Sequence, residues 1–124
     1  MFKRAWRRRI EEAMIGLLEA GESLIVAFPA ETPEAAPTSW MVDFLRRRYR
    51  TYVVALTNAR LLVLSRVAAF SPFRLTWSEA RTAVSGSGLV DGRLRLRGDH
   101  LALDLEVSPL WRAEALRLWD ELSG

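Results

Sequence analysis

Residues 50–67 (RTYVVALTNARLLVLSRV) constrain the fold more than any other stretch. Arg50 to Thr57 and Arg60 to Val67 are two runs rich in the branched and aromatic residues that favour strands, set about Asn58-Ala59. Tyr52, Val54 and Leu56 alternate with Val53 and Ala55, so both faces of the first strand are apolar. A hairpin with one wet face alternates apolar and polar residues; this one has to be covered on both sides. Residues 2–19 are the obvious cover. Phe2, Trp6, Ile10, Met14 and Leu17 or Leu18 recur at helical steps as one apolar stripe, with Gly21 as the stop. Asn58 tolerates a positive φ and Ala59 does not, so the turn is expected to be type I with a bulge rather than type I′.

The remaining elements follow by the same logic. Ser23 to Phe28 reads as a strand, and residues 29–39 read as a loop because Pro29, Pro33 and Pro37 punctuate them. Trp40 to Arg47 reads as a short helical turn capped by Thr38 or Ser39, with a strand as the alternative. Pro72 to Ser78 and Arg81 to Ser85 are weaker strands, and Ser85-Gly86-Ser87-Gly88 reads as a turn. Arg93 to Arg97 and His100 to Val107 alternate about Gly98-Asp99, pairing Arg97 with His100 and Leu96 with Leu101, leucines inward and arginines outward. Ser108-Pro109 opens a last helix, whose stripe is Trp111, Ala115, Leu118, Trp119 and Leu122. Helix, about seven strands, helix predicts a mainly β chain: a small antiparallel barrel or sandwich with flanking helices. At 124 residues it is expected to be one domain, with a helical extension at 1–20, a β-barrel at 22–107 and a capping helix at 108–123.

Half the residues are apolar and 27% are charged, the balance of a folded chain. The sequence has no cysteine, so disulfides, thiolate metal sites and cysteine nucleophiles are excluded. The net charge is +3, and seventeen of the eighteen basic residues are arginine, Lys3 being the exception. Arginine favours bidentate contact with phosphate and carboxylate, although a codon bias would produce the same enrichment. No apolar run approaches the roughly 20 residues that span a bilayer. Glu11 and Glu12 interrupt what would otherwise resemble a signal peptide. The expected location is cytoplasmic, with peripheral contact at the inner face of the membrane.

The run Tyr52-Val53-Val54-Ala55-Leu56-Thr57-Asn58-Ala59-Arg60-Leu61-Leu62-Val63-Leu64 resembles the central hairpin of bacterial PH-like (pleckstrin-homology-like) domains. Those domains often carry a "vaLTn.RLlvl" string at this place. Trp77-Ser78-Glu79, the Leu-x-Leu strand at 93–97 and the Trp-containing last helix fall in compatible order, so the resemblance covers roughly residues 22–122. It implies a PH-like, seven-stranded, barrel-like sandwich capped by a C-terminal helix. It implies little chemistry, because that fold hosts lipid binding, peptide binding and assembly. Many relatives bind phosphoinositides through basic residues at the end of the first strand and an Arg-x-Arg pattern on the second. Arg48-Tyr49-Arg50 matches the second half of that pattern, and Ser23 to Phe28 has no Lys or Arg for the first.

Two arginine clusters are the candidate contact sites for an anionic lipid or a partner protein. Arg46, Arg47, Arg48 and Arg50 follow Trp40, Met41, Phe44 and Leu45, an apolar wedge beside a basic run. Lys3, Arg4, Arg7, Arg8 and Arg9 lie in the first turns of the N-terminal helix, where positive charge opposes the macrodipole. Ion pairs of Arg7 with Glu11 and Arg8 with Glu12 would make that cluster an ordinary solvated face. Arg93, Arg95 and Arg97 form an outward row that Asp104 and Glu106 can neutralise in part. His100 is the single histidine and lacks the further ligands of a metal site. Ser85-Gly86-Ser87-Gly88 lacks the lysine of a phosphate-binding loop. No catalytic constellation, cofactor motif or nucleic-acid-recognition motif is found. The sequence predicts a non-enzymatic module that meets an anionic membrane through its arginine clusters, with shallow insertion of Trp40 or Trp6. The alternative is a protein-protein or homo-oligomeric assembly domain, using the stripe of the first helix or a barrel edge.

Overall fold

The computed structural model describes residues 2–31, 51–65 and 72–123. They form a mainly β, antiparallel fold with a helix at each end. Helix α1 (Phe2–Ile15) is followed by β1 (Leu24–Glu31), β2 (Thr51–Thr57), β3 (Arg60–Ser65) and β4 (Arg74–Ala80). A single 3₁₀ turn (Arg81–Ala83) leads to β5 (Ser85–Val90), β6 (Arg93–Arg97) and β7 (Ala102–Glu106). A second 3₁₀ turn (Pro109–Trp111) then opens helix α2 (Arg112–Ser123).

The seven described strands make one open sheet in the order β4-β3-β2-β1-β7-β6-β5. Its two meanders, β1–β4 and β5–β7, join at one point, the antiparallel pairing of Glu31 with Glu106. Both meanders face a common core. Phe28, Val54, Leu56 and Val63 come from the first, Leu94, Leu96, Leu103 and Leu105 from the second, and Trp111, Ala115 and Leu118 close it. The opposite face of the central hairpin is also dry. Val53, Ala55, Leu62 and Leu64 pack there against Ile10 and Met14 of α1, with Trp6 and Phe73 at the margin. Burying such side chains contributes on the order of 2 kcal/mol each. Apolar packing therefore outweighs the Lys3–Glu114 ion pair (2.7 Å) in holding α1 down, since such partly exposed pairs contribute about 1 kcal/mol or less. The cover expected over the hairpin is thus present, and it is α1.

Helix α1 ends at Ile15, before the expected 19, and Leu17 and Leu18 donate back to the Met14 carbonyl in a tightened last turn. The β2–β3 turn is also plainer than expected. Neither Asn58 nor Ala59 has a positive φ, and no bulge interrupts the register from Tyr52↔Ser65 to Leu56↔Leu61. The Thr57 hydroxyl accepts the N–H groups of Ala59 and Arg60, and Asn58 Oδ1 accepts the Ser23 N–H. Side chains supply the hydrogen bonds that a bulged turn would find in backbone.

Three expectations are corrected. Strand β1 runs on through Pro29 and Ala30 to Glu31, where a loop was expected. Proline cannot donate to a ladder, and β1 can hold it because β7 pairs with β1 only at Glu31. Ser85-Gly86-Ser87-Gly88 is the start of edge strand β5, not a turn. Gly86 passes so close under β6 that a Cβ there would lie 1.9 Å from the Arg95 carbonyl oxygen. The turn lies further on, at Asp91-Gly92, both with positive φ (52° and 75°), the geometry of a type I′ hairpin. Finally, β6 and β7 pair Leu96 with Leu103 and Arg97 with Ala102, two residues beyond the expected register. Residues 98–101 form the turn, closed by the Gly98 N–H donating to the Leu101 carbonyl.

Helix α2 begins as expected. The Ser108 side chain accepts the Leu110 N–H and Pro109 occupies the first turn. At its far end, Arg81 Nη2 donates to the Glu121 carbonyl (2.7 Å) and carboxylate (3.1 Å). A cation there complements the helix C-terminus and ties α2 to the segment after β4.

Candidate functional site

Helix α1 sorts its side chains by depth. Ile10 and Met14 face the sheet and are buried, while Arg4, Arg7, Arg8 and Arg9 are exposed. No acidic residue lies in the first turn to offset the helix dipole. The expected Arg7–Glu11 and Arg8–Glu12 pairs do not form; Arg7 instead points across to Glu114 of α2 at 3.9 Å, beside Lys3. Arg4 and Arg8 have no carboxylate within ion-pair distance among the described residues. The guanidinium of Arg9 lies 6.0 Å from the Trp6 ring centroid. The outer face of α1 therefore presents basic groups to solvent from a helix that apolar packing locks in place.

Trp6 is partly buried. It packs among the α1–sheet side chains and against Phe73, ring centroids 6.0 Å apart. The stripe proposed for self-assembly is likewise used inside the fold, since Ile10 and Met14 are 3% and 2% exposed. Trp40, Arg46, Arg47, Arg48 and Arg50 lie outside the described residues. The Arg93, Arg95 and Arg97 row is partly neutralised, as expected: Arg93 meets Glu106 at 3.4 Å, and Arg95 and Arg97 share Asp104 at 3.6 and 3.0 Å.

A feature that the sequence reading missed lies where the two meanders join. The end of β1, the start of β2, the end of β7, the Pro109–Trp111 turn and α1 enclose a pocket of about 460 Å³. Its lining includes Trp6, Trp111, Val107 and Leu110, with Glu31 and Glu106. Lys3 Nζ stands 5.2 Å from the Trp111 ring centroid. These residues are far apart in sequence, and no local motif marks them. Thr51, the residue after Arg50, also lines the pocket.

The strongest electrostatic cluster is structural. Arg60 Nε and Nη2 donate to the two carboxylate oxygens of Glu22 (2.9 and 3.0 Å), and Nη2 also donates to the Leu17 carbonyl (2.6 Å). These bonds, aided by donors from Thr57 and Glu19 and opposed by burial, hold the Glu22 carboxyl at about 2 against an ordinary 4.5. The same pairing raises the Arg60 guanidinium above its usual value. The cluster fastens the α1–β1 connection to the central hairpin. Among the described residues no group of three or more His, Asp or Glu is placed to hold a metal ion. None of the described helices is long and apolar enough to cross a membrane. No protein-family model matches the chain, and no curated protein matches it.

Proposed function

We propose that this chain is a non-enzymatic interaction module of PH-like fold that associates peripherally with an anionic membrane surface on its cytoplasmic side. The observation that carries the reading is the outer face of α1. Arg4 and Arg8 stand exposed and without carboxylate partners among the described residues, Arg4 in the first turn, where the macrodipole disfavours positive charge. Fold stability gains nothing from arginines there, and an anionic surface does. The order of the seven described strands, followed by a C-terminal helix, supports the PH-like reading. The basic run at Arg46, Arg47, Arg48 and Arg50 belongs to the same proposal as a second contact.

Attraction to an anionic leaflet contributes about 1 kcal/mol per basic residue near the surface. Vesicle co-flotation tests it, with neutral and anionic vesicles at low and physiological salt. Binding to anionic vesicles alone, falling with salt, is the expected result. An Arg4→Ser, Arg8→Ser double variant should lower the partition coefficient about 30-fold. A variant with Arg46, Arg47, Arg48 and Arg50 changed to Ser measures the second contact. A folded protein that stays off anionic vesicles at low salt overturns the reading.

A further inference from the structure

We infer that the outer face of α1 docks, antiparallel, against α1 of a second copy of this chain. Such pairing goes beyond membrane association and does not depend on it. It gives the face a second occupant, and the two occupants exclude each other because both use Arg8.

Ala5, Arg8, Glu12 and Ile15 are exposed, and helical spacing sets them on the side of α1 away from Ile10 and Met14, which are buried against the sheet. Steps of three, four and three residues are those of a row along which two helices pair. The order along the row is small, basic, acidic, large. An antiparallel two-fold level with Ile10 sets Arg8 opposite Glu12 of the second copy. The same operation sets Ala5 opposite its Ile15, so the row complements itself in charge and in size, as a two-fold interface requires. A parallel pair would instead set arginine on arginine and glutamate on glutamate. Beyond the row, Arg4 comes opposite Gly16 of the second copy, which is exposed and has open space where a Cβ would stand.

The charges and the apolar end of the row both favour this occupant. Arg8 and Glu12 stand at the i,i+4 spacing of an ion pair within one helix, yet neither has an ion-pair partner among the described residues. Both charges are left for a partner of opposite sign, and an antiparallel copy brings one to each. Ile15 is 78% exposed, the highest value among the described large apolar side chains, and Ala5 of the second copy leaves room to cover it. Along the whole helix, arginines at 4, 7, 8 and 9 precede glutamates at 11 and 12, so an antiparallel copy lays the basic half on the acidic half. Buried Ile10 and Met14 already fix α1 on the sheet, so docking orders little new chain. The row is short, which puts the dimer in the weak, transient class.

Sedimentation equilibrium of the full chain without lipid tests the pairing, so its outcome is independent of the vesicle experiment. A monomer–dimer equilibrium is expected, with a dissociation constant on the order of 100 µM that rises with salt. Arg8→Glu and Glu12→Arg should each abolish it, by setting like charges opposite one another. Both residues are exposed, so both variants should keep the urea midpoint of the parent protein, and the loss cannot be ascribed to unfolding. Mixed in equal amounts, the two variants should associate again, because each then meets the opposite charge at both ion pairs. Ile15→Ser should weaken the parent dimer about tenfold. A parent protein that stays monomeric up to about 1 mM overturns the inference. A dimer that persists in both charge variants overturns this face as the interface, and a mixture that fails to associate overturns the antiparallel register.

Discussion

The two hairpins β2–β3 and β6–β7 share an antiparallel pairing and are built on different terms. In β2–β3 both faces are buried, one under α1 and one in the shared core. In β6–β7 the faces differ: Leu94, Leu96, Leu103 and Leu105 are buried, while Arg93, Arg95, Arg97, Asp104 and Glu106 are exposed. A slip of one residue would turn the arginines of β6–β7 inward, whereas in β2–β3 it would exchange two apolar faces. A slip of two leaves the alternation of β6–β7 intact. Alternation therefore specifies which face is wet but not which residue meets which. The expected and observed registers of β6–β7 differ by that amount, with Leu96 opposite Leu103 rather than Leu101. In β2–β3 the short connection at Asn58-Ala59 is pinned by Thr57 and Asn58, and its register is the one about those two residues.

The largest contrast should come from the outer faces. Leu62 on β3 is fully buried beneath α1, and Arg95 on β6 is exposed. Leu62→Ala should cost about 2–5 kcal/mol, whereas Arg95→Ala should stay within about 0.5 kcal/mol. Urea unfolding of the two variants measures the difference. Equal effects would mean that α1 does not seal the central hairpin.

Arg60→Ala should come next, at about 3 kcal/mol, because it leaves the Glu22 carboxylate largely buried without its cation. The effect has a pH signature. Glu22 is held at about 2, below its ordinary 4.5, so its contribution is fully present above pH 4.5 and lost as the pH falls towards 2. In the variant the carboxyl returns towards or above its ordinary value. The difference in stability between the two proteins should therefore be largest at neutral pH and shrink through that window. A pH-independent difference in urea midpoints would show that packing, and not the ion pair, carries the effect.

Legibility in the sequence followed how local each signal is. The central hairpin, the stripe of α1 and the Ser108-Pro109 start of the last helix were all visible, because each is encoded within a few neighbouring residues. Strand β5 was hidden by its glycines, although Asp91-Gly92 between Val90 and Arg93 was a hairpin signal in plain view. Pro29 masked the end of β1, since its tolerance depends on a neighbouring strand that departs there. The exposure of Arg4 and Arg8 followed from helical spacing. The inward packing of Trp6 did not follow from amphipathic pattern alone, which cannot say whether a sheet or a membrane receives the stripe. The seam pocket draws on four separate segments, so no window of sequence contains it.

The smallest predicted effect tests what selects the register of β6–β7. Glu79 of β4 is 5% exposed, and its carboxylate accepts the His100 N–H inside the 98–101 turn. It also fills the space beside Gly98, where a Cβ would lie 2.9 Å from Glu79 Cδ. The contact crosses from the β4 edge to the far hairpin, so a tertiary interaction is available to choose between two registers that the alternation permits equally. Glu79→Ala removes the acceptor and should cost about 1 kcal/mol. Gly98→Ala should destabilise the parent protein by crowding Glu79, and should be tolerated better once Glu79 is Ala. The double-mutant cycle should therefore show a coupling of at least about 0.5 kcal/mol. Cross-strand NOEs report the register directly, linking Leu96 to Leu103 in the parent and shifting towards Leu101 in Glu79→Ala if the turn tightens. Unchanged NOEs with additive energies would remove Glu79 as the selector and leave the choice to the buried Leu101 side chain.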